Sequence, residues 1–165
     1  MALEHNPLLL PPADEESAGF WEGTQACDLR IQACTACGRL RHPPRPMCPW
    51  CRSTGRAWRS VSGRGTLWSF VVPHPPLLPG YAELSPYNVA VVTIAEDEGI
   101  RLAGNVVPRS VAPPGGVAAT GLLDDAVNLA DTRTLEIGES LHVVFGARQG
   151  PEGRRLVLPY WVIDE

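Results

Sequence analysis

The sequence predicts a mainly β protein: a short helical segment, a four-cysteine metal-binding ribbon, then a β-sandwich or barrel. Three observations carry this. Two C-x2-C hooks, Cys34-Thr-Ala-Cys37 and Cys48-Pro-Trp-Cys51, stand ten residues apart, the spacing by which two tight turns offer four thiolates to one tetrahedral zinc. After Cys51, segments rich in Val, Trp, Phe and Thr alternate with Gly- and Pro-bearing turns. Little helical periodicity follows them.

The 165 residues suffice for one domain with a core, or for a small domain plus an appended module. The longest apolar runs are far shorter than a membrane span, so a soluble protein is expected. No charged n-region and apolar h-region opens the chain, and cysteines persist as thiols in the cytosol. A cytoplasmic setting, and a metal rather than two disulfides, is therefore the expectation. The net charge of −4 is unevenly spread: from Leu29 to Ala82 there is no acid, yet eight of the fourteen arginines lie there. Such a basic end suits phosphate. Two or three guanidinium groups could instead offset the net −2 of a zinc held by four thiolates. Lysine is absent, which excludes Schiff-base chemistry from a side-chain amine.

Taken in order, Met1 to Pro12 is apolar but broken by Pro7, Pro11 and Pro12, and predicts an extended arm. Asp14-Glu15-Glu16-Ser17-Ala18 reads as the opening of a helix with acids in its first turn, facing the positive end of the dipole. Phe20 and Trp21 would be its packing face or a docking face for a partner, and Gly23 its end. Leu29 to Ile31 is a short strand entering the first hook. Gly38 supplies the positive φ that the hook needs after its second cysteine, whereas Arg52 holds that place in the second hook. Cys27 reads as a small half-buried residue rather than a fifth ligand. His42-Pro43-Pro44-Arg45-Pro46 is a stiff loop, and with four cysteines in place His42 is not expected on the metal.

Arg56 to Val61 and Thr66 to Val72 have strand composition, and Gly63-Arg64-Gly65 between them predicts a bulge or sharp bend. Pro73 to Gly80 is too proline-dense for a central strand. Tyr87 to Ala95 is a nearly continuous apolar strand, Glu96-Asp97-Glu98-Gly99 its turn, and Ile100 to Val107 its hairpin partner. Pro108 to Asp131 is long for a loop and carries weak helical spacing over Leu122 to Ala130. Ser140 to Arg148 and Arg154 to Ile163 are the last two strands, around a turn at Gly150 to Gly153.

Catalytic patterns are missing. There is no GxSxG elbow, and His5, His42, His74 and His142 form no HExxH or HxH pair. A closed four-sulfur site leaves a metal no open position, so its role would be structural. Catalysis by this chain alone is not expected.

The two hooks, the His42 to Pro46 run, Val61-Ser-Gly-Arg-Gly-Thr66 and Pro86-Tyr87 with the strands after it resemble the DUF35 family, and Phe20-Trp21-Glu22-Gly23 is similar to that family's N-terminal helix. The resemblance covers roughly Phe20 to Val107 and the last two strands; Pro108 to Asp131 departs from it. It implies an N-terminal arm and helix at 1–28, a rubredoxin-like zinc ribbon at 29–54, and an OB-fold barrel at 55–165 with an insertion near 108–131. It implies a structural zinc on Cys34, Cys37, Cys48 and Cys51, and a non-catalytic subunit of a hetero-oligomer with a thiolase-like enzyme, sharing an acyl-CoA substrate. The implied reaction is retro-aldol cleavage of a β-hydroxyacyl-CoA in steroid side-chain degradation, with a hydratase as a further partner; acyl transfer or condensation is the alternative. Arg41, Arg45 and Arg64 fall in matching segments and would touch CoA phosphate or the interface.

Two other readings stand beside it. An OB barrel with a basic end could bind single-stranded nucleic acid, but Trp50, Trp58 and Trp68 are read as core residues rather than stacking platforms. Four sulfurs could also hold one iron for electron transfer.

Overall fold

The computed structural model describes residues 10–82, 85–111, 122–123, 135–149, 153 and 155–164. Among these residues the longest helix, α1, spans Ala18–Gln25. The acids expected in its first turn precede it instead. Asp14 and Ser17 clasp each other, the Ser17 N–H donating to Asp14 Oδ1 at 2.7 Å and the Asp14 N–H to Ser17 Oγ at 3.1 Å, so these residues form the turn before the helix. Gly23 does not end α1. It lies inside, where a Cβ would stand 2.5 Å from the Asp28 carbonyl oxygen, and the glycine lets the returning chain touch the helix.

That chain enters β1, Arg30–Cys34, the middle of a three-stranded antiparallel sheet with β2, Leu40–Arg41, and β3, Arg56–Ser60. β3 follows the second hook and pairs along all of β1. The pleat of β1 sends Ile31 and Ala33 to the core and Gln32 to the other face. Gly19 lies so close to the Trp58 ring that a Cβ there would be 2.1 Å from its Nε1.

The remaining strands form the second sheet: β4, Arg64–Val71; β5, Val89–Ile94; β6, Arg101–Gly104; β7, Leu122–Leu123; β8, Ser140–Gln149; and β9, Arg155–Ile163. In β5, buried Ala90, Val92 and Ile94 alternate with half-buried neighbours, the period of a strand on one core. β4 pairs with β5 and β8, β5 with β6, and β8 with β9, all antiparallel. Closure comes from the chain beyond β6. Val106 bridges Trp161 in parallel, with Val107 N–H donating to Trp161 O at 2.8 Å and Trp161 N–H to Asn105 O at 2.9 Å. The ring order β4-β5-β6-β9-β8 is that of an OB barrel.

Two sequence expectations change here. The register shift of β4 lies between Leu67 and Ser69, not at the glycine pair. Gly63 instead takes a left-handed φ of 71°, and Gly65 lets β5 approach, since a Cβ would meet Thr93 O at 2.5 Å. Leu122–Leu123, expected at the start of helical spacing, is a short strand parallel to β8; residues 124–134 lie outside the described residues. Between β4 and β5, the proline-dense loop ends in a helical turn, α2, at Pro79–Ala82.

A single hydrophobic cluster runs through both sheets, joining Phe20, Leu29 and Ile31 to Leu67, Leu141 and Trp161. The ribbon is therefore packed on the barrel.

Candidate metal centre and the arginines around it

Each hook is a closed turn: Gly38 N–H donates to Cys34 O and Arg52 N–H to Cys48 O, both at 2.9 Å. Gly38 and Arg52 occupy equivalent places and both are left-handed, with φ of 75° and 61°. The geometry thus requires the same conformation twice, and only one hook has the residue that adopts it freely. Pairing of Cys34 N–H with Arg39 O and of Cys48 N–H with Ser53 O fixes the hooks' flanks.

The four sulfurs of Cys34, Cys37, Cys48 and Cys51 all lie within 4.8 Å of one another. Cys34 and Cys51 are 3.6 Å apart, and Cys37 and Cys48 3.7 Å. A disulfide would need about 2.05 Å. Sulfurs at the corners of a tetrahedron about 2.3 Å from a central zinc would be separated by about 3.8 Å, so the donor set fits that ion. Electrostatics points the same way. The Cys37 N–H holds the Cys34 thiol below its ordinary value. Against burial, which raises it, the N–H groups of Cys51 and Trp50 bring Cys48 down to about 6. For Cys51 the Ser53 N–H favours the thiolate, yet burial and the three neighbouring sulfurs push it up to about 12. Four thiolates so close cannot all ionise without a cation among them.

Cys27 is half-buried and lies outside the sulfur group, with its thiol pushed up by burial. His42 is not in the sulfur group; its ring lies 5.7 Å from that of Phe20, and burial holds its pKa down. Phe20 is buried in the shared core, and Trp21, half-buried, meets it edge to face at 4.9 Å.

The basic run is partly neutralised from outside. Arg30 pairs with Asp28, Arg56 with Glu15 and Glu16, and Arg64 with Asp164. Arg41 is 2% exposed and Arg45 is exposed, so the three arginines singled out from the sequence lie in different settings. Gln32, which no sequence pattern marked, joins two elements: its Oε1 accepts from Arg41 Nε and from the Arg45 N–H. Of the three tryptophans expected in the core, only Trp58 packs against it. Trp50 and Trp68 are each 52% exposed, with the guanidinium groups of Arg39 and Arg101 over their rings. Trp68 sits within the β4 register shift, so inward-facing Leu67 leaves it pointing outward.

Residues 58–146 match the ChsH2 C-terminal OB-fold domain, more than half of the chain, and residues 21–55 match the ChsH2 rubredoxin-like zinc ribbon domain. The chain belongs to the ChsH2 DUF35 family. This DUF35 chain is similar in structure to the solved Ltp2-ChsH2(DUF35) aldolase, with a TM-score of 0.65 and 30% identity, covering 93% of this chain and 98% of that one. It is 38% identical over 104 residues to the 3-oxo-4,17-pregnadiene-20-carboxyl-CoA hydratase alpha subunit of Mycobacterium tuberculosis, covering 63% of this chain and 32% of the relative. A DUF35 domain-containing scaffold protein of Methanothermobacter thermautotrophicus is 27% identical over 137 residues, 82% of this chain and 84% of that protein. The DUF35 chain thus spans about a third of the hydratase subunit but most of the scaffold protein. No helix among the described residues is long and apolar enough to cross a membrane.

Proposed function

We propose that this DUF35 chain is the non-catalytic subunit of a thiolase-like acyl-CoA enzyme that performs retro-aldol cleavage of a β-hydroxyacyl-CoA in steroid side-chain degradation. The observation that carries this is the end-to-end likeness to the DUF35 chain of an aldolase complex, which covers nearly the whole of both chains. The local match to a steroid-type hydratase subunit supports a hydratase as a further partner and the CoA thioester as the shared substrate.

Within this reading, Cys34, Cys37, Cys48 and Cys51 hold one zinc, and the ion supplies folding free energy to a ribbon too small to be stable on its own backbone contacts. The chain's own residues act by position: the hooks hold the β1–β2 turn, α1 links ribbon to barrel, and the outer surfaces meet the partner. The setting is the cytoplasm, where the sulfurs stay reduced.

The test is co-expression with a thiolase-like chain encoded beside this one. A stable complex that copurifies, and that cleaves a β-hydroxyacyl-CoA when neither chain does so alone, is the expected result. A monomer indifferent to that chain, or thioester turnover by this chain unaided, would sink the reading. A complex that instead condenses or transfers acyl groups would favour the acyl-transfer or condensation alternative.

A further inference from the structure

The ribbon meets the barrel around a cleft of about 440 Å³, walled by α1, the proline loop after β2, β6 and β9. No residue that lines it is charged, although the chain carries 14 arginines and 18 acids. Its walls are stiff. Pro11, Pro12, Pro44 and Pro159 have φ fixed by their rings, and Phe20 and Trp21 brace each other edge to face at 4.9 Å. The volume falls within the range of about 300–1,000 Å³ typical of small-molecule sites, which are mostly apolar with a few polar groups. A stable protein interface would need roughly 800 Å² from each partner, and a hollow of this size is too small to supply it.

Two polar side chains in the cleft have capacity to spare. His42 makes no hydrogen bond to any described residue, and burial disfavours its protonated form, so the ring offers one donor and one acceptor. Asn105 Nδ2 donates to Asn88 O, which leaves its Oδ1 to accept. The other two hydroxyls are engaged: Ser17 Oγ donates to Asp14 Oδ1 at 2.6 Å, and Tyr160 OH accepts from Arg148 Nε at 2.8 Å. A phosphate or carboxylate would enter without a cation to offset its lost hydration. Walls held by proline suit a ligand that is itself rigid, since neither side then gives up rotamers on binding.

We propose that this cleft binds a rigid, uncharged polycyclic group of the steroid class, with a ring ketone or hydroxyl oxygen on His42. The assignment rests on the steroid acyl-CoA reading above, and makes the ring system, the end of the thioester farthest from the coenzyme, the part that this cleft holds. It also gives the half-buried Trp21 a use beyond bracing Phe20.

The zinc-loaded full chain, alone and with its thiolase-like partner, would be titrated with progesterone, its analogue lacking the ring ketone, 1-dodecanol, dodecanoate and coenzyme A. Tryptophan fluorescence and equilibrium dialysis would read binding. Progesterone should bind once per chain and perturb fluorescence, dodecanol should bind more weakly, and dodecanoate and coenzyme A should not compete. Ala103 is exposed on β6 and lines the cleft, so Ala103→Phe should fill it and weaken progesterone at least about tenfold. His42→Phe keeps an apolar ring there and should weaken progesterone about fivefold while leaving the ketone-free analogue unchanged; it decides the matter if Ala103→Phe fails to fold. No progesterone binding, tighter binding of dodecanol, competition by dodecanoate or coenzyme A, or binding indifferent to both variants would each overturn the site. Binding that vanishes in the complex would give the cleft to the partner's side chains and overturn it as well. Copurification separates the two ideas. A complex that forms while progesterone fails to bind removes the cleft and leaves the subunit role, and progesterone binding without a complex does the reverse.

Discussion

At Gly23 two effects oppose each other, and their sizes decide the outcome. Alanine is the better helix former by about 1 kcal/mol, but its Cβ would stand 2.5 Å from Asp28 O and 2.8 Å from Arg30 Cγ. Backbone cannot swing aside as a side-chain tip can, and overpacking of this kind costs about 1–3 kcal/mol. Gly23→Ala should therefore lower stability by roughly 1 kcal/mol in denaturant titration; an increase would mean that α1 can tilt away. His42 gives a pH-dependent case. Burial lowers its folded pKa below the ordinary histidine value, so the unfolded chain binds the proton more readily and stability falls as pH drops through about 6.5. His42→Gln should flatten the difference in stability between pH 7 and pH 5, whereas acid release of the metal would affect both proteins alike. The roles of Cys34, Cys37, Cys48 and Cys51 were legible because spacing encodes a hook. The closeness at Gly23 and the burial of Arg41 were not: the first depends on how the chain folds back at Asp28, and the second on Gln32 and the β5–β6 turn, which spacing along the sequence does not bring together.

Among the elements, the junction between β6 and β9 is backed by one side chain. Asn88 Nδ2 donates to Val106 O at 2.8 Å, and Val106 N–H donates back to Asn88 Oδ1 at 2.7 Å, so a buried amide substitutes for a neighbouring strand. Asn88→Ala would orphan a buried donor and a buried acceptor together, with an expected loss of about 2 kcal/mol. Hydrogen exchange should accelerate first at Val106 and Val107. Unchanged protection there would show that the parallel bridge stands without the amide. The strands themselves could be read from the chain, because β5, β8 and β9 carry apolar residues over lengths that only turns interrupt. Helix α1 was misread at both ends: Asp14 and Ser17 satisfy each other rather than the helix, and Gly23 serves contact rather than termination.

Across the whole molecule, the ribbon and the barrel draw on one core, with Phe20, Leu29 and Ile31 in the same cluster as Leu67 and Trp161. Metal removal should therefore be felt beyond the hooks. Mass spectrometry under native conditions is expected to find one zinc per chain, and a strong chelator should shift a single thermal transition downward. Two separate transitions, with only the earlier one sensitive to chelator, would show the parts to be independent. A reversible visible absorption band on reduction would point to iron instead. The clustering of positive charge was visible in the sequence, but its partial cancellation was not, because Glu15, Glu16 and Asp164 reach it from opposite ends of the chain. Ring closure at Val106 and Trp161 has a consequence for life before assembly. Where the chain after β6 meets β9 the backbone is already hydrogen-bonded, so among the described residues that seam offers no template on which another copy could add a strand. If the chain is the subunit proposed above, it can be made ahead of its companion without this seam recruiting another copy, which leaves recognition to side chains and to the short open borders of the metal-bearing sheet.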